Sequence, residues 1–442
     1  MAIKLSDHFT YKKLLRFVFP SIMMMIFTSI YSIVDGYFVS NYVGKTAFAA
    51  VNLTMPIFFV IGAIGFMIGT GGTAIVAKVL GEGNRKKAND IFSFMVYALV
   101  VGGVVTSLLV LPFLRPLVSL LGASGEMLNL AVNYSRIIVA ANTFFMVQNL
   151  FQSFFIAAEK PKLGLYVTLL AGGTNMVLDY VLVGVAGWGI EGAAVATILG
   201  QFVGCIIPLL YFALPNKSLL RLTKATFRIK TLLKACGNGS SELMNNLSAS
   251  VVAMLFNFQL LKYQQENGLA AYGTIMYVNF IFAAIYFGYA MGCAPIISFH
   301  YGAKNKQELR NLYKKSLTLM TLGGVIMAVI SFGGAVPFAK LFVGYDKDLM
   351  ALTVTGFRLY AATFLLMGIN VFASAFFTAL NNGGVSATIA FLRTFFFQTV
   401  AVLTLPLFLQ TNGIWLATAV AELCSLSITA YFFLSRKKRY GY

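Results

Sequence analysis

The chain has 442 residues, 59% of them apolar and only 11% charged. Soluble domains sit nearer half apolar and a quarter charged, so these few charges cannot coat the roughly three soluble domains such a length would otherwise make. The net charge of +19 is spread over short loops, which excludes a nucleic-acid-binding patch, and the apolar content excludes a disordered chain.

Twelve apolar stretches follow in order, near 17–41, 47–75, 91–113, 131–157, 163–185, 190–214, 237–261, 269–297, 316–337, 352–380, 385–409 and 413–434. Each approaches or exceeds the about 20 residues that cross a bilayer as a helix. They lack the strict alternation of a β-barrel, and backbone groups in lipid must bond within their own segment. The expectation is an all-α polytopic membrane protein with twelve transmembrane helices. Charged residues up to Arg16 precede the first long apolar run, so no cleavable signal peptide is expected.

Span 1 carries Thr28, Tyr31 and Asp35 at i, i+3 and i+7, on one helical face. After it, Gly44-Lys45-Thr46 resembles the end of a phosphate-binding loop, but Val39 stands where that motif requires Gly. No nucleotide motor is expected. Gly65 and Gly69 in span 2 form a GxxxG pair, read as close helix packing. Span 4 holds Arg136 at its outer end and Gln148 and Gln152 on one face. Span 5 holds Asn175 and Asp179 one turn apart, and span 6 starts at Glu191, a cap, and carries Thr197. Glu242 in span 7 reads either as a cavity acid or as a helix-start acid favoured by the dipole. Arg358 sits at an outer end and, like Arg136, snorkels. Arg393 in span 11 is deep, placed to pair with an acid or to line a cavity, and Glu422 in span 12 has no assigned role.

Cys205, Cys236, Cys293 and Cys424 fall in apolar runs without metal spacing, and His8 and His300 lie far apart. They make neither a metal site nor a nucleophile with its base, so no enzyme is expected, and no cofactor beyond a coupling ion.

Twelve spans put both termini on one side. That side carries 25 basic residues against 5 on the other. By the positive-inside rule both termini are cytoplasmic, in a multi-pass protein of the cell membrane.

The second half echoes the first. Arg136 falls on Arg358, and Phe154-Phe155 on Phe376-Phe377, at a spacing of 222. Gly81 and Asn84 fall on Gly302 and Asn305 at 221, and Gly189-Ile190 on Gly413-Ile414 at 224. Six spans per half give two pseudo-symmetric six-helix bundles related by an axis along the membrane normal. The lobes are 1–214 and 236–442, joined by a basic cytoplasmic linker, 215–235. One break is informative: Asp35 corresponds to Asn257, which points to ion chemistry in the N-terminal lobe.

An ionised group at mid-bilayer costs about 2.5–3.5 kcal/mol on insertion scales, so each needs a reason. Asp35 and Asp179 both sit about six residues, about 9 Å, before the outer ends of their spans, and Thr197 about seven below the start of its own. Two carboxylates, the Asn175 amide oxygen and the Thr197 hydroxyl at one depth suit a small hard cation such as Na⁺, or a proton shared between close carboxylates. Tyr31, Gln148, Gln152, Glu242 and Arg393 are candidate substrate-lining groups, since an apolar cavity with a few polar groups suits amphipathic organic ligands. Hydrogen bonding between helices is the alternative for each.

Ile33-Val34-Asp35-Gly36-Tyr37-Phe38-Val39, Gly81-Glu82-Gly83-Asn84, Asn175-Met176-Val177-Leu178-Asp179 and Gly192-Ala193-Ala194-Val195-Ala196-Thr197, in this order, resemble the multidrug and toxic compound extrusion family. The resemblance covers nearly the whole chain. It implies two bundles in a V around a central cavity, and export of small organic, often cationic, compounds against inward Na⁺ or H⁺. The family's cation-site roles carry onto Asp35, Asn175, Asp179 and Thr197, and its substrate surface onto Tyr31 and Gln152. One branch uses a C-terminal acid cluster, but Asn257 is neutral here and span 10 has no carboxylate. The nearest rival is a flippase for lipid-linked oligosaccharides of the same superfamily, which would need a larger cationic cavity. A membrane-embedded enzyme and a passive channel are further alternatives. Nothing in the sequence requires more than a monomer.

Overall fold

The computed structural model describes residues 3–442; helices dominate, and no strand occurs among the described residues. In order the helices are α1 (Tyr11–Phe38), α2 (Lys45–Gly81), α3 (Arg85–Val110), α4 (Leu114–Leu120), α5 (Gly125–Ala140), α6 (Asn142–Ala157), α7 (Pro161–Leu178), α8 (Gly189–Ala213) and α9 (Ile229–Asn238). The second half holds α10 (Ser240–Gly302), α11 (Lys306–Gly333), α12 (Ala335–Val343), α13 (Lys347–Tyr360), α14 (Ala362–Ala379), α15 (Gly383–Phe391), α16 (Phe397–Leu409) and α17 (Thr411–Tyr440).

Ten helices are long and apolar enough to cross a membrane, and α5 with α6, bent by 53° at their junction, supplies an eleventh crossing. The 63-residue α10 breaks at Gln265 (φ 50°, ψ −139°); two arms in place of one account for the remaining expected span.

The repeat has a local cause. Asn84 and Asn305 each cap a helix, accepting from Lys87 N and Glu308 N, both at 3.0 Å. The paired glycines do a second job. A β-carbon on Gly81 would run into the Phe299 carbonyl oxygen, and one on Gly302 into that of Lys78. The two repeat positions therefore face each other, and α2 and α10 pack backbone to backbone there.

Around this contact, α1 packs on α7, α7 on α8, and α2 and α8 on α6, while α11 and α17 pack on α14 and α16 on α17. Helix α10 lies against both α1 and α2 and joins the two sets. The basic stretch after α8 is clipped to α3: Arg221 N donates to Asn89 Oδ1 (3.1 Å), Thr223 N to Ser93 Oγ (2.8 Å) and Thr226 N to Asp90 Oδ1 (2.7 Å).

Both ends of the described chain lie at one end of the bundle, called here the terminal end. Leu5 N donates to Glu159 Oε1 (2.6 Å) beside α7, and Phe9 N to Glu308 Oε1 (2.9 Å) on α11. Lys306 lies against Gly441 at the same end.

Candidate functional site

Helix α1 gives way after Phe38 to a widened π-type turn, Val39–Val43, and α7 gives way at Asp179 to another, Asp179–Val185. Such turns rotate the side chains that follow out of helical register and recur at functional sites. Helices α7 and α8 meet closely because Gly200 has no side chain: a β-carbon there would lie 2.9 Å from Asn175 Cβ and 2.8 Å from the Ala171 carbonyl oxygen. That approach brings Thr197, one turn earlier on α8, towards the acidic face of α7.

The structure brings Asp35 and Asp179 together. Their carboxyls are neighbours, with Asn175 beside Asp179. Asp179 is fully buried, Asn175 4% and Asp35 9% exposed. Asp35 Oδ1, both Asp179 oxygens, both Asn175 amide atoms and Thr197 Oγ1 are buried without a hydrogen-bond partner. Buried polar atoms usually find partners, and here six unpartnered ones on four residues leave oxygen atoms available to a ligand. The oxygen-rich chemistry fits Na⁺ or a proton.

Sequence reasoning missed Tyr134. Its buried phenol faces Asp35 and Asp179 and comes within reach of Thr197. The available signal was an aromatic hydroxyl in the outer half of span 4, but Asn133, Ser135 and Arg136 around it make the stretch read as interface.

Tyr31 lies near Asp35 and packs on Gly172 of α7, its ring 3.0 Å from where a β-carbon would stand. Gln148 and Gln152 are buried inside the first set of helices: Gln148 packs on Gly204, and Gln152 Nε2 donates to Thr168 Oγ1 (3.4 Å). A separate cavity of about 100 Å³ lies between the sets, lined by Met25, Phe66, Phe287 and Met291 with Glu242 and Arg393. Glu242 is both things at once, an acid in the first turn of α10 and a cavity wall.

Arg393 likewise does both. Its Nε donates to Glu422 Oε1 (2.9 Å) while Nη1 remains buried without a partner. Asn370 Nδ2 donates to Glu422 Oε2 (2.7 Å) and Thr429 Oγ1 to Asn370 Oδ1 (2.8 Å), completing a buried network on α14 and α17. The sequence offered the charges but not Asn370 and Thr429.

Among solved structures, the outward-facing conformation of a multidrug resistance MATE family transporter of the MOP superfamily is similar over 98% of this chain and 97% of that one, with TM-score 0.92 and 21% identity. A MOP superfamily transporter from Pyrococcus furiosus covers 98% of each chain with TM-score 0.90 and 21% identity. The chain thus shares the all-helical fold of these membrane proteins. The MatE family model matches residues 20–181 and 243–403, and the chain belongs to that family of multidrug efflux transporters. Relatives include the multidrug export protein MepA of Staphylococcus haemolyticus, 24% identical over 97% of this chain and 94% of its own, and that of Staphylococcus aureus, 23% identical with the same coverage.

Proposed function

We propose that the protein exports small organic, cationic or amphipathic compounds in exchange for inward Na⁺ or H⁺, by alternating access, as a monomer of the cell membrane with both termini cytoplasmic. The carrying observation is the set of unpartnered buried atoms on Asp35, Asn175, Asp179 and Thr197. An ion arriving there neutralises repulsion between two carboxylates and draws α1, α7 and α8 together. A ligand drives a conformational change only through different affinities for two states; this site gives the ion that difference.

The lobes 1–214 and 236–442 are the moving bodies, and Tyr31, Gln148, Gln152, Glu242 and Arg393 form the substrate surface in the course of the cycle. The close glycine contacts between α2 and α10 at the terminal end support a state closed on the cytoplasmic side. The MepA relatives, named as multidrug exporters, support export of several compounds. A lipid-linked oligosaccharide flippase is disfavoured because the deep Arg393 is already paired with Glu422, leaving little cationic surface for a pyrophosphate.

The test is dye efflux from proteoliposomes under an imposed Na⁺ gradient or an imposed pH gradient, each alone. One gradient is expected to drive accumulation against the dye's own gradient, and Asp35→Asn to abolish it while inserting normally. Undiminished coupled transport by Asp35→Asn would reject the assignment.

A further inference from the structure

At the terminal end three basic side chains meet an acid: Lys13 meets Asp7 at 2.8 Å, Lys78 meets Glu82 at 3.6 Å, and Arg228 meets Asp90. Most of the others form no ion pair among the described residues, and one place gathers four of these together. Between the first turn of α11 and the last turn of α17 lies a cleft of about 730 Å³, lined by Lys306, Gln307, Arg310, Lys437 and Lys438 with Gly441 and Tyr442. Four cations line it, no acidic side chain does, and none of the four forms an ion pair among the described residues. On the same last turn, Arg436 keeps its Nε buried without a hydrogen-bond partner.

The floor holds this arrangement in shape. Tyr442 is 1% exposed, its ring 4.8 Å from that of Tyr313 and 4.9 Å from that of Phe376, and its hydroxyl donates to the Phe433 carbonyl oxygen (3.1 Å). The cations thus stand around a rigid aromatic base. The four cations are exposed and no acidic side chain stands among them, so an anion entering the cleft meets positive charge from both α11 and α17.

Depth identifies the counter-charge. Helix α17 has 30 residues, about 45 Å at 1.5 Å per residue, against a hydrocarbon layer of about 30 Å. Its basic last turn therefore projects to the headgroup level. Just below, Tyr431 and Leu434 present 63% and 74% of their surface outward, an apolar flank for acyl chains. Basic pockets between helices at this level suit anionic headgroups.

We propose that the cleft between α11 and α17 is a binding site for the phosphate of an anionic phospholipid, held by Lys306, Arg310, Lys437 and Lys438. It rests on the membrane placement of the chain alone, so failure of ion coupling leaves it standing and its own failure leaves coupling untouched.

The test titrates the purified full-length protein, in phosphatidylcholine nanodiscs, with phosphatidylglycerol and counts retained lipid by native mass spectrometry. The double variant Lys437→Gln/Lys438→Gln is expected to weaken phosphatidylglycerol retention by about fivefold per charge removed. The control Lys86→Gln/Lys87→Gln, which removes equal charge from α3 at the same end, is expected to leave it unchanged. Arg310→Gln, on the other wall, guards against a local distortion of α17 and is expected to weaken retention as well. Equal losses in the control, or no loss in either cleft variant, would overturn the site. Competition by inorganic phosphate at the lipid's own concentration would overturn its assignment to a lipid.

Discussion

Two carboxylates buried side by side with no basic partner in contact repel one another when both are ionised, and a cation or a shared proton relieves that repulsion. Asp35, Asn175, Asp179 and Thr197 were readable from the sequence because helix rise converts position into depth, and depth alone put them at one level. Tyr134 was not readable, since the rotation of one span about its axis relative to another leaves no mark on hydropathy. Its phenol should contribute a hydrogen bond to the proposed ion site, about 0.5–1.5 kcal/mol. Tyr134→Phe is therefore expected to raise the ion concentration for half-maximal efflux by about two- to twelvefold, with normal expression. Arg393 and Glu422 were visible as charges but not as a pair, because the widened turn Leu392–Phe396 shifts the face on which Arg393 projects. Breaking one side of a buried pair strands the other charge, at about 3–5 kcal/mol. Glu422→Ala should lower the thermal midpoint measured by intrinsic fluorescence, and Arg393→Met/Glu422→Leu should recover much of the loss. Equal midpoints for Glu422→Ala and wild type would show that the pair carries no structural weight.

At the scale of elements, the twelve apolar runs were legible because spanning hydrocarbon demands length and little else. The break in α10 was legible as well, since the polar Gln264-Gln265-Glu266-Asn267 separates the runs 237–261 and 269–297 and Gln265 there adopts positive φ; the bend after α5 was not, because 131–157 reads as one uninterrupted apolar run. The facing glycines of α2 and α10 were noticed as repeat matches, but only the packing gives the reason. Gly302→Ala, a change that favours helix, should nonetheless force the two helices apart. Cysteine reporters near Lys78 should become more reactive from the terminal end, and unchanged reactivity would mean that this contact is not what closes it. The N-terminal stretch makes a second tie: Glu308 accepts from Phe9 N and Asn311 and contacts His8 at 2.6 Å. Glu308→Ala should free residues 4–9 to protease while the spans stay intact.

At the scale of the whole molecule, the charge bias gives an observable that needs neither substrate nor ion. In a background lacking Cys205, Cys236, Cys293 and Cys424, a cysteine at Lys347 should react with an impermeant maleimide in intact cells. One at Lys224 should react only after the cells are opened; the opposite pattern would invert the proposed orientation. The clipping of the basic connector onto α3 has its own consequence. Because Arg221, Thr223 and Thr226 are fastened to Asn89, Ser93 and Asp90, that part of the connector would travel with the first lobe in the proposed rocking of the two. Arg228 is held to Asp90 as well, and α9 lies so close to α2 that a β-carbon on Gly71 would run into the Ala235 carbonyl oxygen and one on Gly239 into that of Met67, so the whole connector is bound to the first set of helices and the freedom of the second set to move begins only at α10.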